Sequence, residues 1–429
     1  MKISNFLDKI TWSIADKGLF VGYGLVQIVQ MNMMTPAEFG LFALLISIHT
    51  WIFVVSDAVS LQNIIQFGTN KERAPKANFY SLCLHLAIVL VLPMYFFLLR
   101  EPISIICGVE ELTYIFSILP IFCLATTVRT YCIKFVFKHV KMNHLFLINL
   151  ALFLPMTLIT LYFLYIDGSL CLERMVLMYL CGHTISSIIA FLLTRKNIKI
   201  STKGSLRLSE VLNFSFPLLC TNALQALPKQ LDSYLVSFFF GTSVTGIYYS
   251  AKTLFRVFEE ALAAAQGLVY PAAVRRIEAH DYTGLKEIIS KSVSFLFFAF
   301  AGILLFLQTG VSDWLISTFL NEKFISATGQ FNLLSFAALG LPFYIFSSLL
   351  VAEKKPKILF RFVLVSVCCF ITTFCIVGYI GNSNYIALSY ISYNFALGIT
   401  CTGYYLKNRD YKLSDIFRTI SDLIYALKK

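Results

Sequence analysis

Apolar blocks recur along the whole chain, separated by short polar connections. Each block is about 20 residues long, the length that crosses a bilayer as an α-helix. The pattern therefore predicts twelve transmembrane helices and an all-α polytopic membrane protein. The predicted spans cover residues 13–34, 39–60, 79–100, 112–133, 145–166, 174–194, 213–238, 246–271, 291–309, 330–352, 358–380 and 385–406.

Composition and charge fit this topology. Hydrophobic residues make up 58% of the 429 residues and charged residues only 14%, whereas a soluble domain carries about 25% charge. Twenty-eight Lys and Arg residues fall on one side of the predicted membrane and three on the other. Because basic residues gather on the cytoplasmic side, both termini are expected to be cytoplasmic. The same rule explains the net charge of +12 without a nucleic-acid partner.

The basic connection over residues 195–210 separates two sets of six predicted spans. Since six is even, both halves enter the membrane from the same side, as in a parallel repeat. We expect an N-terminal lobe over residues 1–200, a C-terminal lobe over 201–406 and a cytoplasmic amphipathic tail helix over 407–429. TPAEFGLFA (35–43) and TSVTGIYYSA (242–251) echo each other about 206 residues apart.

Charged residues inside the predicted spans are the main functional signal. A charge at the bilayer centre costs about 2.5–3.5 kcal/mol, so these side chains should face protein or a water-filled cavity. On span eight, Lys252 and Arg256 share a helix face with Tyr248 and Glu259. The candidates are the cations Arg129, Lys229, Lys252 and Arg256 and the acids Asp57, Asp232, Glu259 and Glu260.

Span seven carries a second polar stripe. Asn222, Gln225, Lys229 and Asp232 follow one another at steps of three and four residues, which places them on one face. We expect the cavity to be lined by Asn222, Gln225, Lys229, Tyr248, Lys252 and Arg256. Candidates for ion coupling are Asp57, Asp232, Glu259 and Glu260.

A purely structural interpretation stays open. The charges on spans seven and eight sum to zero, so they could pair with one another, for example Asp232 with Lys252. Arg129, near the inner end of span four, is expected to extend to the membrane interface. The eleven Cys and six His residues show no metal-ligand spacing, and there is no glycine-rich phosphate loop or nucleophile elbow. We therefore expect neither a metal, a cofactor nor catalytic residues.

Two segments resemble a known family. DSYLVSFFFGTSVTGIYYSAKTL (232–254), with its Gly-x-Tyr-x-x-Ala-x-x-Leu pattern, and VYPAAVRRIEAHDY (269–282) resemble the second lobe of polysaccharide-export flippases. These are the lipid-linked oligosaccharide branch, of the Wzx type, of the multidrug/oligosaccharidyl-lipid/polysaccharide exporter superfamily. The predicted twelve spans extend the resemblance over most of the chain.

The resemblance implies two six-helix lobes in a V around a central cavity. It implies a substrate of undecaprenyl-diphosphate-linked oligosaccharide, moved from the inner to the outer leaflet of the bacterial cytoplasmic membrane by ion-coupled alternating access. Such a protein would serve O-antigen, capsule or exopolysaccharide synthesis. Its partners would be membrane lipids and polysaccharide polymerase machinery.

Two alternatives remain at this stage. A multidrug exporter of the same superfamily would favour acids in its cavity for cationic drugs. Lipid II flippases are also similar, but they usually have fourteen spans. A membrane glycosyltransferase or polymerase would need carboxylates or arginines in a large outer loop, whereas the longest predicted outer loop covers only residues 310–329.

Overall fold

A computed structural model describes residues 3–68, 70, 72–353, 355–408, 411, 412 and 414. The side chains of residues 3–10, Ile14 and Pro271 are not described. Within the described residues, regular secondary structure is helical throughout. The predicted tail helix lies almost entirely outside the described residues.

The helices are α1 (Ile3–Asn32), α2 (Pro36–Ser56), α3 (Gln62–Gln66), α4 (Ala74–Leu98), α5 (Arg100–Cys107), α6 (Leu112–His139), α7 (Met142–Ile166), α8 (Leu172–Thr194), α9 (Leu208–Ala226), α10 (Asp232–Glu278), α11 (Tyr282–Phe306), α12 (Ser312–Phe319), α13 (Ala327–Ser335), α14 (Ile345–Ala352), α15 (Pro356–Ile380) and α16 (Ala387–Asn408).

Seven helical segments of the described chain are long and apolar enough to cross a membrane. The helical pieces Ala327–Leu339 and Leu341–Ala352 together would make an eighth, but they meet at a bend of 45°, as in a broken span or a re-entrant loop. The chain is therefore an all-helical, multi-pass membrane protein. The seven segments are Pro36–Gln66, Ala74–Leu98, Leu112–His139, Met142–Ile166, Leu172–Asn197, Tyr282–Phe319 and Pro356–Ile380.

The other predicted spans coincide with helices that are not among these seven. Predicted span one falls on α1, and predicted span twelve falls on α16. Predicted span seven runs through α9 into α10, and predicted span eight is the second half of α10. Gly241 interrupts α10 with a φ of 86°, a conformation that favours glycine, and this break lies between the two predicted spans. The count of twelve spans stays a prediction.

The chain divides into two compact units. The first contains Met1–Ala226 and Gln230–Gly246, and the second contains Leu227–Lys229 and Ile247–Lys429. In the first, α7 packs against α1 and α8, and α6 packs against α4 and α8. In the second, α16 packs against α13 and α15. The predicted lobes over residues 1–200 and 201–406 stay predictions.

Three π-helical turns interrupt the helical runs, at Asp57–Leu61, Leu227–Leu231 and Leu307–Val311. The first begins with Asp57 and the second contains Lys229, which are two of the predicted site residues. A π turn shifts backbone hydrogen bonds by one residue and often occurs at functional sites. The charged residues of these two spans thus lie where the helix is irregular.

The sequence echo near residues 40 and 246 corresponds to a close backbone contact within the first unit. A Cβ atom added to Gly40 would overlap the carbonyl oxygen of Thr242, and one added to Gly246 would overlap that of Pro36. Positions 36 and 40 correspond to 242 and 246 at the same 206-residue spacing. Gly40 therefore packs against the backbone of Thr242, and Gly246 packs in the same way against the backbone of Pro36. The two contacts correspond to each other, as in a two-fold contact.

Gly40→Ala is expected to destabilise the protein by about 1–3 kcal/mol, because backbone in close contact cannot yield to an added methyl group. Gly246→Ala should have a similar effect. The measurement is thermal unfolding of the purified protein in detergent. Gly302→Ala is the matched control, since its Cβ would meet no atom within 4 Å. Equal melting temperatures for Gly40→Ala and the control would contradict the close contact.

Candidate functional site

Lys252 lies on the second half of α10, and only 5% of it is exposed. Its Nζ donates a hydrogen bond to the backbone carbonyl oxygen of Lys229 at 2.7 Å. The same atom lies 6.0 Å from the ring centroid of Tyr248 and 5.5 Å from that of Tyr390. Carbonyl oxygens and aromatic faces both attract a cation. The buried charge is therefore held by polar and aromatic groups of the second unit.

Arg256 lies one helical turn further along α10. Its Nη2 donates a hydrogen bond to the hydroxyl of Tyr249 at 2.9 Å, and its guanidinium carbon lies 5.5 Å from that ring's centroid. The two residues are seven positions apart, which is two helical turns. Tyr249 thus orients the guanidinium on the same face of α10 as Lys252.

The adjacent acids differ in their surroundings. Glu259 is half-buried, and its Oε1 accepts a hydrogen bond from the hydroxyl of Tyr390 on α16. Glu260 is exposed. Tyr390 therefore contacts both Lys252, through its ring, and Glu259, through its hydroxyl. The predicted pairing of Arg256 with these acids stays a prediction.

Polar contacts fix α16 in place around this cluster. The hydroxyl of Tyr344 donates to Oδ1 of Asn394 at 2.6 Å, and Nδ2 of Asn394 donates to the backbone carbonyl of Tyr390 at 2.9 Å. Gln266 Nε2 on α10 donates to the Tyr344 carbonyl at 3.2 Å. Tyr344 belongs to the irregular segment before α14. These contacts join three elements and hold Tyr390 in position.

The other residues of the span-seven stripe belong to the first unit. Asn222 and Gln225 are half-buried on α9. Asp232 is buried at the start of α10, where its Oδ1 accepts a hydrogen bond from the backbone N–H of Ser233 at 2.9 Å. The second unit thus brings together Lys229, Tyr248, Lys252, Arg256 and Glu259. The predicted pairing of Asp232 with Lys252 stays a prediction.

Asp57 forms an ion pair with Lys134, with 2.5 Å between Nζ and Oδ1. Gln62 Nε2 also donates to its Oδ2 at 2.6 Å. A cavity of about 120 Å³ lies beside the pair. Predicted span four ends at residue 133, which placed Lys134 in a cytoplasmic connection, but α6 continues to His139. Asp57 is therefore already paired with a cation of the first unit.

The expectation that Arg129 extends to the membrane interface is wrong. Its Nε donates to Ser186 Oγ at 3.0 Å, and its Nη2 donates to Asn149 Oδ1 at 2.6 Å. Asn149 Nδ2 donates in turn to Oδ1 of the buried Asp16 at 2.7 Å. Arg129 thus belongs to a polar network that connects α1, α6, α7 and α8 inside the first unit.

Asp16 was missing from the acids expected inside spans, although a signal for it existed. Asp16, Tyr23, Gln27 and Gln30 follow at steps of seven, four and three residues, so they lie on one face of α1. Gln30 Nε2 donates to Thr160 Oγ1 at 2.9 Å. The polar stripe of α1 faces the inside of the first unit.

Among the described residues, no group of three or more His, Cys, Asp and Glu side chains could hold a metal ion. The charged groups of the second unit instead form a site of cations, tyrosines and one hydrogen-bonded carboxylate. Lys and Arg are the usual protein ligands of phosphate. Ionisable side chains inside a multi-pass membrane bundle commonly mark a functional site.

The fold is similar to that of solved transporters of the MOP superfamily. The lipid II flippase MurJ in an inward closed conformation matches with a TM-score of 0.74 and 15% identity, over 97% of this chain and 91% of that chain. An inward-facing multidrug resistance MATE transporter matches with a TM-score of 0.73 and 12% identity, over 91% and 92%. A MOP superfamily transporter from Pyrococcus furiosus, described as having a binding pocket of reverse polarity, matches with a TM-score of 0.59 and 11% identity, over 99% and 94%. At these identities the likeness shows the fold alone.

The chain belongs to the family described as Polysaccharide biosynthesis protein, whose model matches residues 32–329. No curated protein matches the chain in sequence. The predicted relationship to a polysaccharide biosynthesis family is confirmed, and the structural neighbours include transporters of the predicted MOP superfamily. The substrate, the direction of transport and the roles of the site residues are matters for the proposal below.

Proposed function

We propose that this protein is a flippase for undecaprenyl-diphosphate-linked oligosaccharide. It moves the lipid-linked repeat unit from the inner to the outer leaflet of the bacterial cytoplasmic membrane, for O-antigen, capsule or exopolysaccharide synthesis. The observation that carries the proposal is a pair of neighbouring cations in a chain of the polysaccharide biosynthesis family: the buried Lys252 and the half-buried Arg256, each in contact with a tyrosine.

The cations suit a diphosphate. Lys252 lies against a carbonyl oxygen and two ring faces, and its ammonium group is a compact cation of the kind that binds phosphate. Arg256 presents a planar fork that can bind two phosphate oxygens at once, and Tyr249 keeps the fork oriented.

Tyr390 offers a physical link between substrate binding and ion coupling. Its ring stabilises Lys252 while its hydroxyl donates to Glu259. A protonated Glu259 accepts this hydrogen bond more weakly than the carboxylate does. Binding of an anion beside Lys252 changes the electric field at Tyr390 and at the Glu259 carboxyl that it contacts. We propose that proton exchange at Glu259 couples transport to an ion gradient by alternating access.

The topology belongs to the proposal. Twelve spans in two parallel six-helix lobes, with both termini in the cytoplasm, would surround a V-shaped central cavity. Three of the predicted outer connections contain a glycine with the positive φ of a turn residue: Gly108 at 65°, Gly168 at 62° and Gly381 at 73°. The basic connections would then all lie on the cytoplasmic side.

Reporter fusions test this topology directly. Two or more reversed connections would contradict the twelve-span arrangement, because a single missed span inverts everything after it. An enzymatic reporter active on one side of the membrane provides the measurement. Fusions after Asn70, Lys141, Lys203, Asp281 and Lys355 should report cytoplasm, and those after Gly108, Gly168, Thr242 and Asn382 should report the outside.

A multidrug exporter is the second candidate, because the MATE structure has nearly the same TM-score as the flippase. The two functions require opposite charge at the site, and the cations Lys252 and Arg256 favour an anionic substrate. The deciding experiment is translocation of a lipid-linked oligosaccharide in proteoliposomes, with efflux of a cationic dye measured in parallel. Dye efflux without movement of the lipid-linked sugar would overturn the flippase proposal.

A further inference from the structure

An apolar cleft of about 470 Å³ lies on the second unit, apart from the charged site. Phe297 on α11, Phe343 in the break before α14 and Phe395 on α16 form its walls. Gly340, Gly398 and Gly403 also line it. The cleft exists because the helix break leaves space between α11 and α16, and because Gly403 has no side chain to fill that space.

The cleft faces away from the charged cluster. Ile399 at its edge is nine positions after Tyr390 on α16, which is half a turn away at 100° per residue. Ile399 is 67% exposed, and on α11 the exposed side chains Phe295 and Phe298 are also apolar. A surface of this composition in a multi-pass membrane protein contacts hydrocarbon. The cleft is therefore open to lipid.

The length of the cleft corresponds to one leaflet. From Phe395 to Leu406 the wall on α16 measures about 17 Å at 1.5 Å per residue, roughly half of the 30 Å hydrocarbon core. With the proposed topology, α16 runs from the outside inward, so Leu406 lies at the inner interface. A lipid chain that entered from the inner leaflet would fill the cleft from this end.

Positive charge surrounds the inner end. Lys407 follows Leu406 and is exposed. Lys286 at the start of α11 lies 6.0 Å from the ring centroid of Tyr411, and Tyr411 packs against Tyr405 at 5.7 Å. Two lysines thus lie where a lipid with its chain in the cleft would place its headgroup. They would stabilise a phosphate or diphosphate there.

We propose that this cleft binds the polyprenyl chain of the carrier lipid in the inner leaflet, with its diphosphate near Lys286 and Lys407. The inference rests on the proposed function and adds a loading site for the lipid part of the substrate. An isoprenoid chain carries methyl branches at regular intervals and needs a wider groove than a straight acyl chain. The broken helix and Gly403 provide that width, and a preformed groove keeps the ordering cost of the chain low.

The test is photo-crosslinking of the full-length protein in nanodiscs of phosphatidylethanolamine and phosphatidylglycerol. A photoreactive benzoylphenylalanine replaces Ile399, and undecaprenyl diphosphate without sugar is added. Mass spectrometry of the adducts should show the polyprenyl lipid enriched over phospholipid by about tenfold or more relative to its mole fraction. Adducts in proportion to mole fraction would mean that bulk acyl chains fill the cleft, and would overturn the proposal.

A plugging variant has a matched control. A Cβ on Gly403 or on Gly302 would meet no atom within 4 Å, and only Gly403 lines the cleft. Gly403→Leu should lower the polyprenyl adduct by about tenfold, because the new side chain displaces several methylene groups. Gly302→Leu should leave it unchanged. Equal adduct yields for the two variants would contradict the assignment, and the wild-type enrichment decides the question if Gly403→Leu does not fold.

Two further experiments test the headgroup contact and distinguish this inference from the proposed function. Lys286→Gln combined with Lys407→Gln should reduce adducts of undecaprenyl diphosphate but not those of the uncharged polyprenol. An unchanged ratio would remove the lysines from the site. Proteoliposomes that translocate lipid-linked oligosaccharide without a polyprenyl adduct at position 399 would overturn this inference alone. Failure of translocation together with a specific adduct would overturn the proposed function alone.

Discussion

Arg256→Ala is expected to abolish oligosaccharide export while leaving the protein folded in the membrane. The guanidinium donates from Nη2 to the hydroxyl of Tyr249, and its planar fork suits two oxygens of a phosphate. A hydrogen bond to a charged group is worth about 1.5–3 kcal/mol, which corresponds to a loss of about 10–150-fold in transport rate at limiting substrate. Arg256→Lys keeps the charge but loses the fork, so it should recover only part of the activity.

The measurement is translocation of lipid-linked oligosaccharide in proteoliposomes, normalised to reconstituted protein. Arg361→Ala is the matched control, because Arg361 is an exposed arginine on α15 in the same unit. If Arg256 serves only to balance charge, combining Arg256→Ala with Glu260→Gln or Glu259→Gln should restore full transport. Such a rescue would favour structural pairing over contact with substrate.

The fold could be predicted from sequence where a helix is apolar throughout. Seven helical segments of the described chain are long and apolar enough to cross a membrane. Six of them begin and end within a few residues of a single predicted span, or extend beyond it. The exception is Tyr282–Phe319, which continues past the predicted end at residue 309 through the π turn Leu307–Val311. A π turn has no hydropathy signature, so its position could not be predicted.

The helices outside those seven carry much of the buried polar chemistry. Asp16 lies on α1, Asn222 on α9, Lys252 on α10 and Tyr390 on α16. Polar side chains that face the inside of a unit lower the mean hydropathy of a helix without making it less buried. The charged residues that mark the candidate site thus also lower the mean hydropathy from which a membrane span is recognised.

The periodicity of the sequence predicts contacts within one helix, but it does not predict contacts between helices. The seven-residue spacing of Tyr249 and Arg256 predicts a shared face, although only Tyr248 was selected from the sequence. Tyr390 is 131 residues from Glu259, so nothing local indicates that they meet. The break in predicted span ten had a local signal, since Gly340 and Pro342 occur within three residues of an otherwise apolar segment.

The glycine contact is a case in which a weak sequence signal has a clear physical origin. The echo between TPAEFG and TSVTG involves few identical residues. Its structural counterpart is a contact in which Gly40 and Gly246 each accommodate a backbone carbonyl. Only the absence of a side chain is required at those two positions, so only the glycines have to match between the halves.

Glu259→Gln is expected to abolish coupling to the ion gradient, whereas Glu260→Gln should transport nearly normally. Glu259 accepts a hydrogen bond from Tyr390 and is half-buried, and Glu260 is exposed. A glutamine at position 259 keeps an oxygen that can accept from the Tyr390 hydroxyl, so the packing should survive. It cannot take up a proton, so a mechanism that depends on protonation of this carboxyl should stop.

The measurement is substrate-dependent proton flux into liposomes, with a sodium gradient as a second arm. The wild type should show proton or sodium flux that follows oligosaccharide transport, and Glu259→Gln should lose it. Tyr390→Phe should weaken the link without removing the titrating group, because it deletes the hydroxyl that donates to Glu259 and keeps the ring beside Lys252. Transport should then persist with an altered pH dependence. If Glu259→Gln and Glu260→Gln both keep normal transport and normal ion flux, neither acid is the coupling site. Asp232, which is buried at the start of α10, would then be tested next, ahead of Asp57, which Lys134 already neutralises.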